Sequence, residues 1–188
     1  MILHHNSQKR YYSDQTYFIT TKTKDNFPYF KEPIFCELFI EELKLCKKLK
    51  EFYLYGFCVV YDHIHLMIHP GEKYNISQII KSLKENISRD INYIIFNYVY
   101  EGDTSTCRLH IRELIKQYQK TFIQKYQQNI NLFPKFQWQK SFHDHIIRNG
   151  VDFYNHFNYT VYNHLKHQLL ENWQYTSLNY LNIIDESL

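Results

Sequence analysis

The chain contains no alanine, and nowhere in its 188 residues does an apolar run approach the ~20 that a membrane-spanning helix requires. The opening stretch, MILHHNSQKRYYSDQ, lacks the apolar core of a signal peptide, so the protein is expected to stay in the cytoplasm. Four cysteines, Cys36, Cys46, Cys58 and Cys107, are scattered without a CxxC pair. That spacing excludes a zinc ribbon and predicts reduced, buried small hydrophobes. The formal net charge is only +3, too small for electrostatics alone to declare a nucleic-acid partner. Missing alanine together with 18 tyrosines points to an AT-rich coding bias, which lowers the weight of any single Tyr, Asn or Ile.

What is present is more informative. Apolar content of 44% excludes wholesale disorder, and the length suits one domain burying about two-thirds of its unfolded surface. Phe52 to His69, FYLYGFCVVYDHIHLMIH, reads as two neighbouring strands joined at Tyr61-Asp62. Side chains alternate along a strand, so His63, His65, Met67 and His69 share one face. Ile64, Leu66 and Ile68 then form the core face. Two imidazoles two residues apart on a rigid strand supply half of a metal site.

Along the chain, Thr16 to Lys22 alternates as a first strand, and Thr23 to Pro33 is a loop. Ile34 to Lys50 carries Ile34, Phe35, Leu38, Phe39, Leu43, Leu45 and Leu49 at helical spacing and ends in lysines that suit the helix dipole. Pro70-Gly71 stops the histidine strand. Ile76 to Ile95 predicts a second helix, capped by Asn75 or Ser77, whose polar side holds Lys81, Lys84, Glu85, Ser88, Arg89 and Asn92. Glu101-Gly102-Asp103 breaks the pattern, and Arg108 to Asn129 is a third helical stretch. Trp138 to Ile147 reads as a strand, Asn149-Gly150 as a turn, and Val151 to Leu170 as one long helix with Phe153, Phe157, Val161, Leu165 and Leu169 on a stripe. The tail from Trp173 is expected to fray.

This order predicts an α+β fold, a ferredoxin-like palm. It has a four-stranded antiparallel sheet, two helices on one face, and a C-terminal tyrosine-bearing helix near the other. Residues 1–188 form a single domain, with a core over about 16–167. An extra helix is inserted at about 100–136, before the last strand, and a tail covers 171–188.

The last helix can complete the histidine pair. Tyr159, Asn163 and His167 fall four apart and line one side of it. Asn163 offers an amide oxygen to a divalent cation, and Tyr159 offers a phenol. An open metal site beside a hydroxyl nucleophile suits phosphoryl transfer. Only Tyr159 has an asparagine four residues on while leaving Phe157 and Val161 to the apolar side, so Tyr154 and Tyr162 read as packing residues.

His63-Ile64-His65 on a strand, WQKSFHDHIIR from Trp138 to Arg148, and Tyr159-x-x-x-Asn163 together resemble the single-tyrosine transposases. These are His-hydrophobic-His endonucleases, and the resemblance is greatest to the REP-associated tyrosine transposases. It runs from about Thr16 to His167 and includes Lys84. It implies cleavage of single-stranded DNA near a hairpin through a 5′-phosphotyrosine bond that frees a 3′-hydroxyl. Tyr159 would be the nucleophile, and His63, His65 and Asn163 the ligands of Mg²⁺ or Mn²⁺, the latter better suited to imidazole. Lys84, Arg89, Lys140, His145 and Arg148 are the candidate DNA contacts. Trp138 is a base-stacking or core residue.

The chain departs from the family pattern at His164, where proline is usual, at Leu165 to Gln168, where small residues follow, and at Asp62, where asparagine is common. Two other functions fit parts of the pattern. One is a non-covalent phosphoesterase using both His63/His65 and His143/His145. The other is a hairpin-binding module without cleavage. No membrane partner is expected, and the chain is read as a monomer or a homodimer.

Overall fold

The computed structural model describes residues 14–98, 106–126 and 132–186. The opening stretch, the Glu101-Gly102-Asp103 break and the Asn129 end of the third helix lie outside the described residues. Strand β1 (Tyr17–Lys22) alternates as its sequence demands, with Tyr17, Ile19 and Thr21 buried on one face. It pairs antiparallel with β3 (His63–His69) on one side and β4 (His143–Ile146) on the other. β2 (Tyr53–Val60) pairs antiparallel with β3, so the sheet runs β2-β3-β1-β4.

One face is covered by α1 (Pro33–Lys50) and α2 (Ile76–Phe96), which share a core with Ile19, Phe57, Ile64, Leu66 and Ile68. Pro33 opens α1, where a missing N–H costs nothing. Lys47, Lys48 and Lys50 close it. Asn75 caps α2 in a reciprocal capping box with Gln78, which decides between the two candidate caps. The hairpin end closes tightly on α1: a Cβ at Gly71 would lie 2.1 Å from the Glu51 carbonyl oxygen.

The inserted helix is α3 (Leu109–Tyr126), which packs Ile111, Ile115, Tyr118 and Phe122 onto α1 and α2. Arg108 at its start is buried between two carboxylates, Glu42 at 2.7 Å and Asp90 at 2.5 Å. Burial, then the neighbouring Asp90, pushes the Glu42 carboxyl up to about 8.

The opposite face carries α4 (Gly150–Val161), which crosses β2 at Gly56, with Phe157 and Thr160 beside it. The single long helix expected to Leu170 breaks at Tyr162 (φ −103°, ψ 12°), and a short α5 (Asn163–Lys166) follows. Phe153 and Phe157 pack on Tyr55 and Met67, and Leu169 packs on Cys58 and Val60, but Leu165 is exposed. Tyr154 and Tyr162 are also exposed rather than packed.

Three further expectations change. The Trp138–Ile147 strand shrinks to β4, with Trp138 making one bridge to Thr23. Its indole donates to the Lys84 carbonyl and its ring packs on Phe30 and Phe136, so Trp138 is a core residue. The tail does not fray before residue 186. Val59 N–H donates to the Tyr175 carbonyl, the Trp173 indole to the Val59 carbonyl, and Leu54 N–H to Asp185, so the tail sheathes the outer edge of β2. Cys36, Cys46 and Cys58 are buried as expected, whereas Cys107 is exposed. Among the described residues no helix is long and apolar enough to cross a membrane.

Candidate active site

The period of two along β3 turns His63 and His65 to the face that α4 and α5 cover. They are therefore only 4% and 3% exposed, buried on the side away from the main core. Each ring is held through Nδ1. His63 Nδ1 donates to the Asp62 carboxylate at 2.6 Å, and His65 Nδ1 lies 2.9 Å from the Thr20 hydroxyl, its cross-strand partner. These contacts fix ring orientation and leave Nε2 as the remaining ligand atom, the arrangement by which outer partners orient metal-binding histidines.

Burial, then His63 and His167, pushes His65 down to about 3, while the nearby Asn163 side chain opposes the shift. Burial also lowers His63, with Asp62 opposing. Both imidazoles are thus neutral near pH 7, with lone pairs to give.

The helix above supplies the rest. The Tyr159 ring stands edge-on to His65, 5.4 Å between centroids, and edge-on to Phe18 at 5.7 Å. Tyr159 is 38% exposed, so its ring is open to solvent. The Lys166 ammonium lies 4.1 Å from its ring centroid. One turn after Tyr159, Asn163 is fully buried at 0% exposure. His65 Nε2 and both Asn163 amide atoms have no hydrogen-bond partner among the described residues. Buried polar atoms are normally satisfied, so orphans converging from a strand and a helix ask for a group between them. Two neutral imidazoles and an amide oxygen fit a divalent cation.

The structure brings His63, His65, Tyr159 and Asn163 together and disperses the proposed DNA contacts. Lys84 lies in the α1–α2 layer, where its partly buried ammonium donates to the carbonyls of Gln139 and Ser141 and so pins the approach to β4. Arg89 pairs with Asp90 and shares a surface groove with Lys84 and Lys140. Arg148 lines a depression at the other end of the sheet with His69 and Tyr154. His145 faces the same way as His65 but gives Nε2 to Asp152, 2.9 Å away. His69 is held by Thr16, apart from the pair.

Sequence reasoning gave His167 no role, yet its ring sits 4.6 Å from His63. Its spacing of four from Asn163 was the available signal. Thr20 and Phe18 were also missed, because register across strands places them and no motif does, and Asp62, noted in the sequence only as a departure from asparagine, holds the His63 ring.

An antiparallel palm with a buried His-x-His strand beneath a tyrosine-bearing helix defines the single-tyrosine class of DNA-processing folds. The chain belongs to the IS200-like transposase family, whose model matches residues 11–105, just over half of it. That stretch contains His63 and His65 and stops short of Tyr159 and Asn163. A REP-associated tyrosine transposase of Haemophilus influenzae is 29% identical over 126 residues, covering 65% of this chain and 56% of the relative. An uncharacterized protein of Acanthamoeba polyphaga mimivirus is 30% identical over 94 residues, covering 50% of this chain and 24% of that one. The chain thus spans about half the length of the first relative and about a quarter of the second. A solved REP-associated tyrosine transposase bound to a REP hairpin shares the fold, with a TM-score of 0.53 at 17% identity over 93% of this chain and 83% of that one.

Proposed function

We propose that this chain nicks and rejoins single-stranded DNA beside a hairpin through a covalent bond to Tyr159. The observation that carries the reading is the set of orphaned buried ligand atoms, His65 Nε2 and the Asn163 amide, beside a solvent-exposed tyrosine. Membership of a transposase family supports the reaction class. The structural neighbour seen on a REP hairpin supports a hairpin substrate.

In the forward step the Tyr159 oxygen bonds to phosphorus and the bond from phosphorus to the 3′-oxygen breaks. The phenolic proton is lost, the 3′-oxygen takes up a proton, and the 5′-phosphate stays on the tyrosine. Attack by a 3′-hydroxyl reverses the step and reseals the strand. Bound by His63, His65 and Asn163, Mg²⁺ or Mn²⁺ would polarise a non-bridging phosphate oxygen. Asp62 and Thr20 hold the imidazoles in the ligand-competent tautomer. Lys166 places positive charge beside the attacking group, and Lys140, Arg89 and Arg148 offer charge to the flanking strand. One copy carries all four central residues, which supports a monomeric catalytic unit.

The non-covalent reading with pooled histidine pairs is disfavoured by the bond from His145 to Asp152. Incubation of the full chain with short hairpin oligonucleotides and Mn²⁺ tests the proposal. The wild type should give nicked DNA and a denaturant-stable protein–DNA band, whereas Tyr159→Phe should bind the hairpin and give neither. Full nicking by Tyr159→Phe would select the phosphoesterase, and binding without product by the wild type would select the binding module.

A further inference from the structure

A second group of ligating side chains lies outside the pair just described. His145 on β4 and Asp152 and His156 on α4 present ligand atoms that all fall within 4.8 Å of one another. The Asp152 carboxylate is 2.9 Å from His145 Nε2 and 2.9 Å from His156 Nδ1. The two imidazoles stack at 4.4 Å between centroids, 15° from parallel. Asp152 is itself fixed: it accepts from the Arg148 N–H, and its own N–H donates to the capping Asn149 side chain. His145 and Arg148 hold its carboxyl below the usual range. All three side chains are partly exposed, so an ion can enter.

We propose that His145, Asp152 and His156 bind a divalent transition-metal ion of the zinc type, distinct from the His63–His65–Asn163 cation. One carboxylate and two imidazoles are a borderline-soft ligand set with room for water, which suits Zn²⁺ or Co²⁺ over Mg²⁺. In the metal-free state the His145 Nε2–H points at the Asp152 carboxylate and the His156 Nδ1–H at the Asp152 backbone carbonyl, 2.9 Å away, and a dication displaces both protons from that centre. The rings pivot out of their stack to aim their lone pairs at it. The ion joins β4 to α4 one turn before Tyr159. The Phe18 ring touches both groups, at 5.0 Å from His156 and 5.4 Å from His65. Occupancy therefore braces the tyrosine helix against the sheet.

The test uses Co²⁺ alone on full-length protein carrying His63→Ala and His65→Ala, so it is independent of the nicking reading. One equivalent of Co²⁺ should bind and show the visible d–d bands of a low-coordinate site. Adding His156→Gln, which keeps the ring-sized volume and a donor, should weaken binding by at least about tenfold. Asp152→Asn, which keeps the carboxamide oxygen for the Arg148 N–H, should do the same. Melting curves without metal establish that these variants are folded. Zn²⁺ should raise the melting temperature of the double variant and leave that of the triple variant unmoved. Absence of Co²⁺ bands in the double variant, or bands that persist after both added substitutions, would overturn the proposal.

Discussion

At the scale of single residues, the site is an arrangement of unmet needs. Asn163 is buried with neither amide atom paired, a state that costs about 1–3 kcal/mol without a partner. Replacing it by the near-isosteric Leu should raise metal-free stability by about 1 kcal/mol and abolish Mn²⁺ binding. Denaturant melts and Mn²⁺ titration by electron paramagnetic resonance check both halves, and a destabilised variant would contradict the account. The histidines give a pH signature. Both fold with pKa values below the ordinary 6.5, His65 down to about 3. Between those limits the unfolded chain binds more protons than the folded one, so stability falls as pH drops from 6.5 toward 3. Melting of metal-free protein across that range should show the loss, and His65→Gln should shrink it. The nearness of His63, His65, Tyr159 and Asn163 to one another could be read from the two spacings, one on a strand face and one a helical turn, although Asn163 falls in α5, past the break at Tyr162. The His145–Asp152–His156 group could not, since it depends on where a strand end meets a helix start.

At the scale of elements, α3 is tied down by charge as well as by apolar packing. Arg108→Met would leave Glu42 and Asp90 buried side by side, and breaking a buried pair in this way costs about 3–5 kcal/mol. Urea unfolding measures it, and a loss below about 1 kcal/mol would mean that the triad behaves as a surface pair. Glu42 adds a sign at the alkaline end. Its folded pKa of about 8 exceeds the ordinary 4.5, so its contribution is complete below 4.5 and lost as pH rises through 8. The strand–helix–hairpin–helix run was readable from periodicity almost to the residue. The break at Tyr162 was not, because apolar residues continue at helical spacing to Leu169 across it. The tail was misread for a related reason: Tyr175 and Asp185 bind β2 through backbone groups, which need no periodic pattern.

At the scale of the whole molecule, one sheet separates two kinds of work. Its Ile64–Leu66–Ile68 face builds a core with α1, α2 and α3, and its His63–His65 face lies under the tyrosine helix. The β2-β3-β1-β4 order follows from the split βαβ pattern, and it places the histidine strand centrally, where Thr20 can reach it. The positive side chains proposed to meet DNA sit apart on this frame, Arg89 and Lys140 on one groove and Arg148 in another depression. Phosphate contact at Arg148 and Lys140 should make hairpin affinity salt-dependent, and replacing both with Gln should flatten the slope of log affinity against log salt by about 2.

The central claim is that Tyr159 takes the phosphate. The most direct measurement is peptide mapping by mass spectrometry of the denatured protein after reaction with a hairpin oligonucleotide and Mn²⁺. The account predicts a nucleotide remnant on Tyr159 alone. A remnant on the exposed neighbours Tyr154 or Tyr162, or nicked DNA with no modified tyrosine, would contradict it.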